Sequence, residues 1–142
     1  MVFDEIGPGH VYRNFPGDHG GFFNGLRAAS DFQAVTGACL MSRRTAFERV
    51  GGLSTLFPLN FNDIDYCLKL RSQGLRVVFD PDTVLYHYES SSRRSDVAEW
   101  EIDLLHRRHG PSWPDPYYNP AFLRTSLNYV TPVMLSDGTL VG

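Results

Sequence analysis

Cysteine is nearly absent from this chain: Cys39 and Cys67 are the two in 142 residues, each set in an apolar segment. That excludes a disulfide scaffold and a zinc ribbon, and it predicts both thiols as small buried hydrophobes. A block of like charge is missing too. Thirteen Lys and Arg against sixteen Asp and Glu give a net charge of −3, so there is no basic footprint and no nucleic-acid partner is expected. No apolar run approaches the ~18 residues of a spanning helix. The first residues carry no signal-peptide pattern, and no internal repeat is visible. A cytoplasmic, reducing setting is the default. What is present, 42% hydrophobic and 13% aromatic residues, fits a globular chain. At this length folding buries roughly 68% of the unfolded surface, enough for a core without staples.

Glycine and proline punctuate residues 1–27 (Gly7-Pro8-Gly9, Pro16-Gly17, Gly20-Gly21). This predicts a long loop with one short strand near Val11-Tyr12. The nearly apolar run Ala34–Met41, within Phe32–Ser42, reads as a buried strand in which Gly37 allows another backbone or a ligand to come close. Thr45–Val50 reads as a short helix stopped by Gly51-Gly52. A helix from about Asp63 to Gln73 ends at Gly74, and strands follow at Arg76–Phe79 and Thr83–Tyr88 around the turn Asp80-Pro81-Asp82. The stripe Val97, Trp100, Leu104, Leu105 predicts a further helix over 96–109. From Gly110 the chain is proline-rich and loop-like.

The chemistry concentrates between Phe61 and His87. Asn62 is a good N-cap residue. Asp63 and Asp65 then fall in the first turn, where the helix dipole favours negative charge by ~0.3–1 kcal/mol each. Capping alone accounts for them. Yet the same dipole keeps Asp63 ionised, as a general base must be, and Ile64, Cys67, Leu68 and Arg71 share a side that leaves Asp63 at the helix mouth. Asp65 is assigned to the cap. His87, between Tyr86 and Tyr88 at a strand end, is in general more often structural than functional. It precedes Ser90-Ser91-Ser92-Arg93-Arg94, which suits phosphate, and imidazole is the commonest metal-binding side chain at mid-row divalent ions. One histidine is not a metal site. His106 and His109, beside Arg107-Arg108, read as a basic helix terminus.

At these residues the sequence resembles the family 2 glycosyltransferases of the GT-A fold, closest to the O-antigen and rhamnan branch. The matching text is Val35–Leu40, Phe47 with Val50–Leu53, Phe61–Arg71 with Gly74, Val77–Pro81, Leu85–Arg93 and Asp115–Pro120. The resemblance implies an α/β fold: the C-terminal part of a GT-A domain, a mixed sheet with flanking helices, its N-terminal nucleotide-binding half missing. Within it, 1–30 would be a loop-rich opening, 31–109 the acceptor, base and metal-histidine half, and 110–142 a proline-rich tail. Asp63 matches the general base, although Asn62 replaces the first acid of the family's Glu-Asp pair. His87 matches a ligand of a divalent metal, Mg or Mn. Ser92 and Arg93 match the loop over the donor diphosphate, and Thr36, Gly37 and Ala38 match the strand end beside the acceptor. Asp63-Ile64-Asp65 and Asp80-Pro81-Asp82 both spell Asp-x-Asp, but neither stands where the family's nucleotide motif stands.

The implied reaction transfers a sugar from a nucleotide-diphosphate donor to a glycan or lipid-linked acceptor hydroxyl with inversion. The implied parent sits in the cytoplasm, with peripheral attachment to the inner face of the membrane allowed. The chain alone is expected to be inactive and to self-associate through an exposed sheet edge. A non-catalytic binding or interaction module on the same half-fold is the rival from another class. A metal hydrolase built on His87 and the aspartates fits poorly, since His10, His19, His106 and His109 do not fall at ligand spacing.

Overall fold

The computed structural model describes residues 2–3, 8–13, 15–86, 97–110, 115–119, 122, 133–134 and 140–141. Among these residues the regular structure includes three short antiparallel strand pairs and three α-helices. Strands β1 (Val2–Phe3) and β2 (Pro8–Gly9) pair with each other. Strand β3 (Ser30–Asp31) pairs with β4 (Val78–Phe79), in the register Ser30 to Phe79 and Asp31 to Val78. Strands β5 (Val133–Met134) and β6 (Leu140–Val141) form the third pair. The helices are α1 (Arg44–Arg49), α2 (Asn62–Ser72) and α3 (Glu99–His109), with a kinked 3-10 segment over Phe22–Arg27. The α/β character is as expected. In place of a mixed sheet, every strand pair among the described residues is antiparallel.

Helix α2 is the centre of the molecule. Ile64, Asp65, Tyr66, Cys67, Leu68 and Leu70 are all buried, so nearly the whole circumference of the helix faces protein. Its acids fall in the first turn and Lys69 and Arg71 in the last, the sense the dipole favours. It ends in a Schellman turn: Leu75 N–H donates to Leu70 O at 3.1 Å and Gly74 N–H to Arg71 O at 2.8 Å. Gly74 takes φ +73°, a conformation that costs a residue with a Cβ roughly 1–2 kcal/mol. Helix α1 closes in the same way, Gly52 N–H reaching Phe47 O at 2.9 Å.

Around α2 the main core gathers Ala34, Phe57, Ile64, Cys67, Leu68, Val77 and Leu105. A smaller core joins Phe32, Tyr118 and Phe122. Buried Tyr66 gives its hydroxyl proton to Ser42 Oγ at 2.7 Å, as a buried phenol requires.

Several expectations change. The strand foreseen over Phe32–Ser42 pairs earlier, at Ser30–Asp31, with Phe32 N–H still bonded to Val77 O at 2.9 Å. Beyond it the chain turns at residues 37–39, because a strand needs a partner for its ladder and Gly37 N–H is taken by a side chain instead. Val11-Tyr12 is a turn, with Tyr12 at φ +55° and its hydroxyl accepting from Phe22 N–H at 2.7 Å. Residues 83–86 form no ladder; the rest of that foreseen strand lies outside the described residues. Cys67 is buried but Cys39 is exposed, on the turn.

Leu105 on α3 is fully buried in the main core, whereas Val84 is 76% exposed. Leu105→Ala is expected to lower unfolding stability by about 2–5 kcal/mol, and Val84→Ala by no more than about 0.5 kcal/mol. Urea titrations of the two variants compare them directly.

Candidate functional site

The amino end of α2 carries both aspartates, and the structure separates their roles. The N-cap is Phe61, in the left-handed region at φ 63° with no side-chain cap bond; Asn62 is the first helical residue. The expected Asn62 cap is therefore not formed, because the chain enters α2 through the left-handed residue before it. Such a conformation costs a non-glycine residue of order ~1 kcal/mol or more, and Phe61 is held there by packing against the main core.

Asp63 sits half-buried at the helix mouth. Its Oδ1 accepts the N–H of Ile64 at 2.8 Å and its Oδ2 accepts the N–H of Gly37 at 2.7 Å. Asp63 thus satisfies a first-turn amide itself and reaches across to the turn after β3. That turn is tightened by Thr36, whose Oγ1 accepts from Ala38 N–H at 3.3 Å. Thr36, Gly37 and Ala38, foreseen beside the acceptor, are brought to Asp63. A carboxylate has about four lone-pair directions, and the two amides occupy one on each oxygen.

Asp65 is no cap. It is fully buried, with Oδ1 2.6 Å from Arg108 Nε and 2.8 Å from His109 Nε2. Lys69 Nζ lies 3.2 Å from Oδ2 and donates to Gly52 O at 2.5 Å. Burial pushes this carboxyl up, but His109, Lys69 and Arg108 outweigh it and the group lies below the ordinary carboxylate range. The basic end of α3 is thus a docking element, a role its charge alone did not reveal. Its partner lies more than forty residues away, beyond any local signal.

A second buried carboxylate, Glu101, was not singled out in the sequence. It accepts Asn60 N–H at 3.0 Å and Asn60 Nδ2 at 2.8 Å, and it reaches back to Ala98 N–H at 3.4 Å as a helix-starting acid does. It is the third residue of α3 as observed, whereas the helix foreseen from residue 96 placed it in the second turn and hid that signal.

His87, Ser92 and Arg93 lie outside the described residues. Among the described residues no three His, Cys, Asp or Glu side chains come together to hold a metal ion. At the other end of α2, Arg71 lies 4.7 Å over the Tyr117 ring and donates to its hydroxyl at 2.5 Å. Tyr118 is buried in the smaller core, which makes it a packing residue. Cys67 is buried with Sγ 3.8 Å from Val35 O, and burial raises its thiol pKa. Among the described residues no helix is long and apolar enough to cross a membrane.

No family model matches the chain, and no solved structure matches it. Among curated proteins it is 40% identical over 121 residues to the uncharacterized protein y4gI of Sinorhizobium fredii, covering 79% of this chain and 13% of that protein. It is 41% identical over 98 residues to the O-antigen biosynthesis protein RfbC of Myxococcus xanthus, covering 66% of this chain and 8% of that protein. It is 31% identical over 64 residues to an N-acetylglucosaminyl-diphospho-decaprenol L-rhamnosyltransferase of Mycobacterium tuberculosis, covering 45% of this chain and 21% of the relative. The chain thus spans a small fraction of each relative. Over part of its length it is similar to proteins named for O-antigen biosynthesis and for rhamnosyl transfer.

The Asp65 cluster predicts an acid dependence. Because the folded pKa lies below the ordinary value near 3.9, its stabilisation is fully present above that value and is lost as pH falls through the folded pKa. Asp65→Asn removes the anion that the partly buried Lys69 and His109 and the exposed Arg108 converge on, and is expected to cost about 1–3 kcal/mol near neutrality. It should also flatten the fall in stability below about pH 4. Denaturant titrations of both proteins across that range read the slope, and equal slopes would remove Asp65 as its source.

Proposed function

We propose that this chain is the acceptor- and base-bearing part of a glycosyltransferase of family 2 with a GT-A fold. Residues 31–109 then form the acceptor and base half, 1–30 its loop-rich opening and 110–142 its tail. One observation carries the reading: Asp63 stands at the mouth of a buried helix, half-exposed, with its carboxylate oriented by two backbone amides. That is the arrangement a fixed general base needs, in a chain similar to proteins named for O-antigen biosynthesis and rhamnosyl transfer.

In this reading the substrates are a nucleotide-diphosphate sugar and a glycan or lipid-linked acceptor. The acceptor hydroxyl, lying by Thr36–Ala38, gives its proton to Asp63 as its oxygen attacks the anomeric carbon. The bond from that carbon to the diphosphate oxygen breaks, and the nucleoside diphosphate leaves with the electron pair. A single base and no covalent nucleophile give inversion. Ser92 and Arg93 are assigned to the leaving diphosphate. His87 is assigned as one ligand of a Mg or Mn ion, which when bound would neutralise charge on the leaving group. Among the described residues no three His, Cys, Asp or Glu side chains come together, and no step here is routed through the metal. In this reading the parent works in the cytoplasm, with peripheral attachment to the inner membrane face allowed.

The test is transfer of rhamnose from a nucleoside-diphosphate donor by a protein that contains this chain, since one relative is named for that sugar. Asp63→Asn is expected to lower turnover by about 10²–10⁴-fold while circular dichroism stays unchanged. Retained transfer would remove Asp63 as the base. Acceptor binding without any transfer would favour the non-catalytic binding module.

The 142-residue chain on its own is also expected to self-associate. Val84, Leu85 and Tyr86 are 76%, 66% and 92% exposed and belong to no strand among the described residues, an apolar segment open to pairing with a second copy. Light scattering should give a mass above the 16.1 kDa monomer; a clean monomer would refute the expectation.

A further inference from the structure

We infer that Gly37 is a positioning residue for Asp63: its backbone N–H and its lack of a side chain together fix the carboxylate of the base. The inference rests on Asp63 being the base, and it moves Gly37 from the acceptor to the base itself.

Three observations on the page meet at this contact. The bond from Gly37 N–H to Asp63 Oδ2 is 2.7 Å, at the short end for an N–H donor and typical of one to an ionised carboxylate. The other oxygen is taken by the N–H of Ile64 at 2.8 Å, so two fixed amides of one rigid scaffold hold both oxygens at once. Finally, a Cβ on Gly37 would lie 3.2 Å from Asp63 Cβ and 3.5 Å from Oδ2. The glycine is needed for approach and not for conformation, because its φ is outside the left-handed region.

The chemistry follows. Amide donors favour the charged carboxylate over the neutral acid, and they cost no reorganisation when the proton arrives. With one lone pair of each oxygen engaged, a hydroxyl can be accepted only along the remaining directions. The turn after β3, closed by Thr36 Oγ1 on Ala38 N–H, therefore acts on the reaction through the base.

Gly37→Ala is a suitable probe, since the backbone tolerates alanine and only the Asp63 contact is crowded. The measurement is proton–nitrogen NMR of the 142-residue chain through a pH titration. In the wild type the Gly37 amide proton is expected far downfield, shifting with pH in step with the Asp63 carboxyl carbon. Asp63→Asn should abolish that pH-dependent shift, and Gly37→Ala should reduce it. Gly17→Ala, where a Cβ meets open space, should leave it unchanged. A Gly37 amide indifferent to Asp63 ionisation in the wild type overturns the inference, whether or not Gly37→Ala folds. An unaltered shift in Gly37→Ala overturns the steric half of it. Should Asp63→Asn retain sugar transfer, the positioning role falls together with the base assignment, while the titration still reports whether the contact exists.

Discussion

One buried carboxylate organises this molecule. Taking Asp65 out of water costs several kcal/mol even after relaxation, and cations from two helices meet it. The charge is stabilised by Lys69 from one turn further along the same helix and by Arg108 and His109 from the far end of α3. Lys69 also holds the carbonyl of Gly52, the residue that ends α1. A single anion thus fixes three helices relative to one another, with directional hydrogen bonds where apolar contacts alone would permit sliding.

The placement of α3 has a second anchor. Glu101 binds the backbone and side chain of Asn60, the residue two before α2 begins. One clamp near the start of α3 and another at its end leave Leu105 between them, fully buried against α2. Phe57 closes the same core from the preceding loop, while its neighbours Leu56 and Leu59 stay exposed. The loop before α2 is therefore pinned at Phe57 and Asn60. Phe61 is carried into its left-handed conformation by the residues on both sides, and the helix mouth bearing Asp63 is set from several directions.

What could be read in the sequence was what local chemistry decides. Helix α2, its stop at Gly74, the short α1 ending at Gly51-Gly52 and the span of α3 follow from periodicity and end signals within a few residues. The place of Asp63 at the helix mouth and the tight approach at Gly37 were also legible. The pairing of Asp65 with Arg108 and His109 was not, because it joins residues more than forty apart and each had a sufficient local explanation. Asp65 passed for a dipole acid and His109 for a basic terminus. The apolar run after Phe32 failed as a strand for a related reason: apolar composition marks burial, but a ladder also needs a partner, and the amide of Gly37 had found a carboxylate instead.

The two aspartates also show why spacing and function must be argued together. At 3.6 residues per turn, positions two apart lie about 200° around a helix, so Asp63 and Asp65 cannot serve the same edge. One must turn inward if the other faces the mouth. An inward carboxylate needs cations, and α2 and α3 provide them. An outward one needs only fixed amides, and the turn after β3 with Ile64 provides those. Placed at Asp65, the cations hold the helix and leave the half-buried carboxylate at the mouth to the two amides. The neutralised anion keeps the scaffold rigid, and that rigidity lets two backbone amides suffice for the other.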